Sequence, residues 1–463
     1  MGPEKFFNKC KEIASNFGMI EKTEGRKKQN TVIRKNLVYE NGNVQYFAFI
    51  NPEEATSGPY SDFSLVFLPA GEKEDMYMMT IGVGSEGFSR DYELATTPGM
   101  RRLFLKILPV DDGHYTFCKP KFTDIETPID FSTIEEKTNV RLDKYRTVLS
   151  IGCLIDTTKN VDMKLVEAWT AQYASIRKWA STMNQRKAIT NAINSVRKLH
   201  VPNDNEKEVI KLLANRRFVV LQGAPGTGKT FLAEKISERY KKVFFTQFHA
   251  ETTFSDFVYG IYPKLESEKV EYEFKYGELC EAIDYASKNQ QENVLLIIDE
   301  INRANLSNVL GPVFYLFEPK RTSHKNTIKL GEREISEIPK NLHVIATMNT
   351  ADRSIAVVDF ALRRRFAWYT IKPECFSTGV IPESKELFEE ISAIFEKYAS
   401  DSELNLQPGG AYFMASTIEE LNQKIEYELM PLIKEYLEEG HMVSAAGEFS
   451  DLFYRKIRKN LFE

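Results

Sequence analysis

Apolar residues fall into successive patterns along the chain. Near the N-terminus, VQYFAFI (44–50), DFSLVFL (62–68) and DMYMMTIGVG (75–84) are short apolar and aromatic runs. They are closed by Asn51-Pro52, by Pro69-Ala70-Gly71 and by glycines. Runs of that kind, punctuated by Pro and Gly, predict the strands of a small sheet. Between about 134 and 200 the period lengthens: Leu165, Trp169, Tyr173, Ile176 and Ala180 recur at steps of three and four. That spacing puts them on one helix face and marks them as packing core. From about 201, strands alternate with helices. FVVLQ (218–222) precedes a glycine-rich turn and the helical FLAEKISERYKK. VLLIID (294–299) and LHVIATMN (342–349) are continuous apolar runs, the pattern of parallel strands buried on both faces. The alternation predicts an α/β domain around a parallel sheet. Beyond about 373 the strand pattern stops. Ile418, Leu421, Ile425, Leu429 and Ile433 keep helical spacing, and Ser416 with Glu419 fits a capping box. The expected organisation is an N-terminal α+β domain (1–133), a helical linker region (134–200), a large α/β domain (201–373) and a small helical domain (374–463).

Composition narrows this picture only a little. A chain of 463 residues, 42% of them hydrophobic, has room for several such domains. The formal net charge of -5 sets up no global basic field, although a local patch is compatible with it. Cys10, Cys118, Cys153, Cys280 and Cys375 are scattered, with no paired C-x-x-C, which argues against a disulfide framework or a zinc site and fits a reducing cytoplasm. The N-terminus carries charges where a signal peptide needs an apolar core. No apolar run is long enough for a membrane span. A cytoplasmic protein without a membrane segment is expected.

The candidate chemistry lies in the α/β region. GAPGTGKT (223–230) matches G-x-x-x-x-G-K-T, with a strand before it and a helix after. Gly223, Ala224, Pro225, Gly226, Thr227 and Gly228 form a loop whose backbone N–H groups can face phosphates, and the helix N-terminus adds partial positive charge. Lys229 is expected to reach the β- and γ-phosphates, and Thr230 to coordinate Mg²⁺ through its hydroxyl. VLLIIDE supplies Asp299 as a second Mg²⁺ partner and Glu300 to orient or deprotonate the attacking water. A carboxylate pair at a buried strand tip is costly unless a metal or water needs it.

MNTADRS (348–354) fits two chemistries. Asn349 and Asp352 have the spacing of the N-x-x-D element that reads guanine, but the Asn-Lys step of that element is missing. The segment follows a third apolar strand, whose tip in a parallel nucleotide-binding sheet lies near the γ-phosphate. We favour Asn349 as a phosphate or water sensor of the AAA+ kind. In DFALRRRF (359–366), Arg363, Arg364 and Arg365 end the third strand–helix unit, where AAA+ rings place an arginine finger at the neighbour's nucleotide. Such a finger is worth roughly 10³–10⁵ in rate. Adjacent arginines cannot all point one way; Arg364 ranks first, then Arg365.

IIDEINRANLSNVLG (297–311) with MNTADRSIAVVDFALRRRF (348–366) narrows the reading further. Together with TQFHAETTFSDFVYGIYP (246–263) and YELMPLIKEYL (427–437), these segments resemble the McrB family, the nucleotide-hydrolysing subunit of McrBC modification-dependent restriction systems. The strong similarity spans about 218–440. The resemblance implies a homo-oligomeric ring, commonly a hexamer, that hydrolyses GTP, and an McrC-like partner that stimulates turnover and carries the nuclease. By position it makes Gly223–Thr230 the phosphate site, Asp299 a Mg²⁺ ligand and Glu300 catalytic. It puts Asn349 and Asp352 in the family's signature loop, and makes Arg303, Arg364 and Arg365 candidates for contacts between subunits. One departure concerns NLQPGGAYF (405–413): where many AAA+ proteins have an Arg reaching the γ-phosphate, Gly409 and Gly410 offer no side chain.

QYFAFINPEEATSGPYSDFSLVFLP (45–69) resembles the DNA-binding domain at the N-terminus of several McrB proteins. That implies recognition of modified cytosine in double-stranded DNA, by extrusion of the base into an aromatic pocket. Tyr46, Phe47, Phe49 and Tyr60 are then candidate wall residues, with a core role as the plainer reading of each. Lys27, Lys28, Arg34 and Lys35 are candidates for phosphate contacts. The competing function is an ATP-dependent remodelling chaperone of the MoxR kind, which would use the same nucleotide site, so GTP and ATP both stay open.

Overall fold

The computed structural model describes all residues except 24, 26–27, 38–44, 56–60, 71–74, 84–86, 110–112, 133–144, 198–203, 267–268, 319–326, 331–332, 352–359, 377 and 463. It divides into two compact units, one of residues 1–201 with 396–400, the other of 202–395 with 401–463.

The first unit is built on a six-stranded antiparallel sheet in the order β1-β2-β3-β4-β6-β5. The strands are β1 (Val32–Asn36), β2 (Tyr46–Ile50), β3 (Ser64–Pro69), β4 (Met76–Gly82), β5 (Thr116–Cys118) and β6 (Leu149–Asp156). One face packs Phe47, Phe49, Phe67, Met79 and Cys153 into a core shared with the helices Pro3–Asn16 and Asn160–Ile176. The other face buries Ala48, Ile50, Val66 and Met78 with Phe117 and Phe131. Both faces are covered, which is why these strands read as unbroken apolar runs rather than as alternation.

Two expectations need correcting here. The stretch 134–200 is not wholly helical: Leu149–Asp156 is a strand between β4 and β5, and its apolar run LSIGCLID is buried on both faces and too short to show a helical period. In the helix Asn160–Ile176, Leu165, Trp169 and Tyr173 are buried as expected, but Ala180 lies beyond its end.

The second unit carries a five-stranded parallel sheet in the order β15-β7-β14-β11-β8. Its strands are β7 (Phe218–Gly223), β8 (Lys242–Gln247), β11 (Val294–Asp299), β14 (Leu342–Asn349) and β15 (Ala367–Thr370). Between them lie the hairpins β9 (Tyr259–Glu266) with β10 (Lys269–Tyr276), and β12 (Ile328–Leu330) with β13 (Arg333–Ile335). Successive residues feed opposite cores. Phe218, Val220, Leu296, Ile298 and Val344 join the helix Glu278–Lys288 on one face. Val219, Leu221, Leu295, Ile297 and Ile345 join the helices Asn205–Arg216 and Lys229–Ser237 on the other. The strand order sets β14 between β7 and β11, so the carboxyl ends of these three strands meet, the place where open α/β sheets bind ligands.

After β15 the chain is helical: Pro382–Tyr398, Ile418–Lys424, Met430–Glu438 and Ala446–Ile457. A π-helical turn, Ile425–Leu429, joins the middle pair. Pro431 has no N–H to give the turn before it and its ring crowds that turn, and the wider π turn accommodates both defects. The cap differs by one residue from the expected pair of Ser416 and Glu419. Thr417 Oγ1 accepts from Glu420 N at 3.2 Å, and Glu420 Oε2 accepts from Ser416 N at 2.8 Å. Leu421, Ile425, Leu429 and Ile433 are buried, but Ile418 is exposed because it sits in the first turn beyond the stripe.

Candidate functional site

The glycine-rich loop leaves β7 at Gly223 and enters the helix at Lys229. Gly226 and Gly228 have φ of +73° and +82°, a region where a side chain is strained. The Lys229 ammonium is buried at 7% exposure, which is costly without acceptors. Its Nζ donates to Gly223 O (3.1 Å), Ala224 O (2.9 Å) and Asn349 Oδ1 (3.0 Å). Asn349 stands at the tip of β14, in register with Gly223. The two residues meet because β7 and β14 are neighbours.

The tip of β11 supplies the acids. Thr230 Oγ1 donates to Asp299 Oδ1 at 2.9 Å. Thr347 Oγ1 donates to the same oxygen at 2.6 Å and accepts from Glu300 N at 3.0 Å. Gln247 Nε2 reaches Asp299 Oδ2 at 3.5 Å. Glu300 itself takes a left-handed backbone, φ 54° and ψ 48°. For a residue with a side chain that conformation costs roughly 1–2 kcal/mol, and strain of this sort gathers at functional sites. Arg303 Nε lies 3.4 Å from Glu300 Oε2, and Asn302 Nδ2 donates to Asn349 O at 3.2 Å. The geometry therefore gathers a lysine, an amide, two carboxylates and the start of a helix around one loop. Such a set can cradle a phosphate chain and a hard cation.

Three members of this network, Thr347, Gln247 and Asn302, are not among the candidate site residues of the sequence, although Gln247 and Asn302 lie in the segments 246–263 and 297–311. Of these, Thr347 is within reach of sequence reasoning: it lies two residues before Asn349 on the same strand, so both point to one side of the sheet. Asp352 lies outside the described residues.

The arginines at the end of the helix Phe360–Arg365 differ sharply in setting. Arg364 is 65% exposed and its Nη2 donates to Glu318 Oε1 at 2.6 Å. Arg365 is 7% exposed, also bonded to Glu318, with its guanidinium 4.1 Å from the Phe314 ring centroid. Arg363 lies over Trp368, 5.2 Å from the ring centroid. Arg365, ranked second, is held beside Phe314 and Glu318 of its own chain. Arg364 keeps an exposed position.

The N-terminal candidates also separate. Phe47 and Phe49 are core, not pocket wall: Phe47 stacks on Phe67 at 4.7 Å and Phe49 meets Trp179 edge-on at 5.8 Å. Tyr46 is half-buried, while Tyr60 and Lys27 lie outside the described residues. Arg34 is not available to a phosphate. It is 5% exposed, donates to Ala55 O through Nε at 3.1 Å, and faces buried Glu54 at 3.6 Å. Burial pushes the Glu54 carboxyl up to about 7 despite Arg34. Lys28 and Lys35 are exposed. No helix among the described residues is long and apolar enough to cross a membrane, and the five cysteines are free thiols.

Residues 218–366 match the AAA domain (dynein-related subfamily), which agrees with the parallel sheet and its phosphate loop; this part of the chain is an AAA domain. The chain is 31% identical over 272 residues to the Type IV methyl-directed restriction enzyme EcoKMcrB subunit of Escherichia coli (strain K12), covering 51% of this chain and 58% of that protein. It is 28% identical over 207 residues to the Type II restriction enzyme BsuMI component YdiS of Bacillus subtilis (strain 168), covering 35% of this chain and 59% of that one. The chain is thus similar to the McrB subunit over about half of its length, where its motif segments lie, and spans less than two thirds of either relative's length. A solved structure of a putative ATPase from Cytophaga hutchinsonii aligns over 51% of this chain and 63% of its own, at 18% identity and a TM-score of 0.26.

Proposed function

We propose that this chain is the GTP-hydrolysing AAA+ motor subunit of a modification-dependent DNA restriction complex. The observation that carries the proposal is the convergence of Lys229 with Asn349, and of Thr230 and Thr347 with Asp299, at adjacent strand tips. Likeness to subunits of two restriction enzymes supports the setting. The loop Gly223–Gly228 and Lys229 hold the phosphates. Thr230 Oγ1 and Asp299 Oδ1, 2.9 Å apart, are the oxygen donors that suit Mg²⁺, which takes few protein ligands beside phosphate and water. When bound, Mg²⁺ neutralises charge on the phosphate chain. Glu300 takes the proton of the attacking water, and Thr347 holds its backbone. Asn349 senses the terminal phosphate, and its bond to Lys229 favours that role over guanine reading. In a hexameric ring, exposed Arg364 and then Arg303 are the residues to reach a neighbour's nucleotide. The N-terminal unit recognises double-stranded DNA carrying modified cytosine, and a separate McrC-like subunit cuts. The complex works in the cytoplasm.

Steady-state hydrolysis of GTP and ATP, measured side by side at ring-forming concentrations, tests this. GTP preference is expected. Glu300→Gln should lower turnover roughly 10²–10⁴-fold, the usual reach of general-base catalysis, while nucleotide still binds. ATP preference would turn the reading towards a MoxR-like remodelling motor. Unchanged turnover in Glu300→Gln would remove the catalytic assignment.

A further inference from the structure

The segment that lacks a γ-phosphate arginine, Asn405–Phe413, lies directly on the phosphate loop. Gly409 N donates to Pro225 O at 2.9 Å, and Ala411 N donates to Gly226 O at 3.1 Å. A Cβ on Gly409 would lie 2.2 Å from Gly226 C, 2.3 Å from Gly226 O and 2.3 Å from Thr227 N. Those atoms form one peptide group, and no side chain can occupy that space. The backbone of Gly409 (φ -76°, ψ 172°) is open to any residue, so close approach alone demands glycine. The Tyr412 ring closes the other side, since a Cβ on Gly226 would lie 2.9 Å from its Cδ2. Thr350 completes the clasp from the tip of β14. Its N donates to Gly223 O at 3.1 Å, and its Oγ1 donates to Asn405 O at 3.1 Å.

The consequence follows from peptide geometry. A trans peptide is planar, with its C=O and the next N–H pointing opposite ways. Holding the carbonyls of Pro225 and Gly226 towards Gly409 and Ala411 therefore turns the N–H groups of Gly226 and Thr227 away from the helical region. The same bonds polarise these peptides and make their N–H groups better donors. We infer that the Gly409–Tyr412 segment is a positioning element for the nucleotide: through its backbone it sets the phosphate-binding N–H groups of the loop and couples phosphate occupancy to the small helical region. It does by main chain what an arginine would do by side chain. The inference rests on the nucleotide-binding reading above.

The test compares the full-length protein with Gly409→Ala, and with Gly447→Ala as a control in the same helical region, where an added methyl meets open space. Wild-type affinity for a fluorescent GTP analogue and for GDP is measured first. If the wild type binds neither, it is the nucleotide reading that fails. If it binds, Gly409→Ala should weaken both nucleotides at least about tenfold and raise KM, because the shared phosphates lose their cradle. The kcat at saturation should stay within about threefold, because Glu300 and Asn349 are untouched. Gly447→Ala should match the wild type. Equal affinity in a folded Gly409→Ala protein, or a loss confined to kcat, overturns the inference. Hydrogen exchange on the wild type is a second, independent test that needs no variant. Nucleotide should slow exchange at the Gly409 and Ala411 amides together with those of the loop. Protection of the loop without change at 409–413 overturns the coupling.

Discussion

At the level of single residues, the least conspicuous member of the site has the sharpest expected phenotype. Thr347 is buried, and its hydroxyl serves both Asp299 and Glu300 N. Thr347→Val keeps the shape and removes the hydroxyl. It leaves a part-buried amide without its acceptor and a carboxylate without its shortest donor, so stability should fall by about 1–3 kcal/mol. Turnover should fall more than affinity, because Glu300 loses its anchor while the phosphate loop is intact. Thr347→Ser should recover both. Denaturant melts and steady-state kinetics on the three proteins decide it; a Val variant as active as the wild type would break the link between Thr347 and Glu300. Lys229, Thr230, Asp299 and Asn349 are legible in sequence because strand–loop–helix context fixes where such residues point. Thr347 is harder to single out: its place two residues before Asn349 gives its side of the sheet, but a threonine inside an apolar strand looks like any β-branched core residue. The N-terminal aromatics mislead for the same reason: Phe47 and Phe49 look identical whether they line a pocket or fill a core, and only their packing partners, Phe67 across the sheet and Trp179 after the helix Asn160–Ile176, separate the two.

At the level of elements, long apolar runs are readable and short or shared ones are not. The strands β7, β11 and β14 fall where their patterns place them. The strand β6 hides inside a region of helical pattern, because Asn160–Ile176 follows it so closely that the helical period dominates the window. The β9–β10 hairpin escapes sequence reading as well. It alternates apolar with charged residues, and its apolar positions Ile261, Val270, Tyr272 and Phe274 are exposed rather than buried. Caps are local and follow simple chemistry, so the one-residue difference at Thr417 is testable. Thr417→Ala should lower stability by roughly 1 kcal/mol, within the 0.5–2 kcal/mol of capping losses, seen as a lower urea midpoint with unchanged slope. If Ser416→Ala costs more than Thr417→Ala, the cap belongs to Ser416 after all.

For the whole molecule, the telling fact is that each unit has its own sheet and its own core. Such a chain need not unfold as one. Calorimetry should resolve two transitions. A non-hydrolysable GTP analogue with Mg²⁺, at a hundredfold excess over its Kd, should stabilise only the nucleotide-binding unit, by about 2.7 kcal/mol. For a unit of that size this is a rise of about 5–10 °C in one Tm, with the other unmoved. A single transition that shifts as a whole would mean that the units unfold together.

The left-handed backbone at Glu300 has a consequence on another timescale. Glycine would relieve that conformation, so the glutamate holds its place against a standing physical incentive to mutate away. On the proposed mechanism, a demand for turnover opposes that incentive. In a duplicated gene released from that demand, position 300 is where drift should first find profit. The signature of a retired motor would then be a glycine at this one codon, beside a phosphate loop still intact.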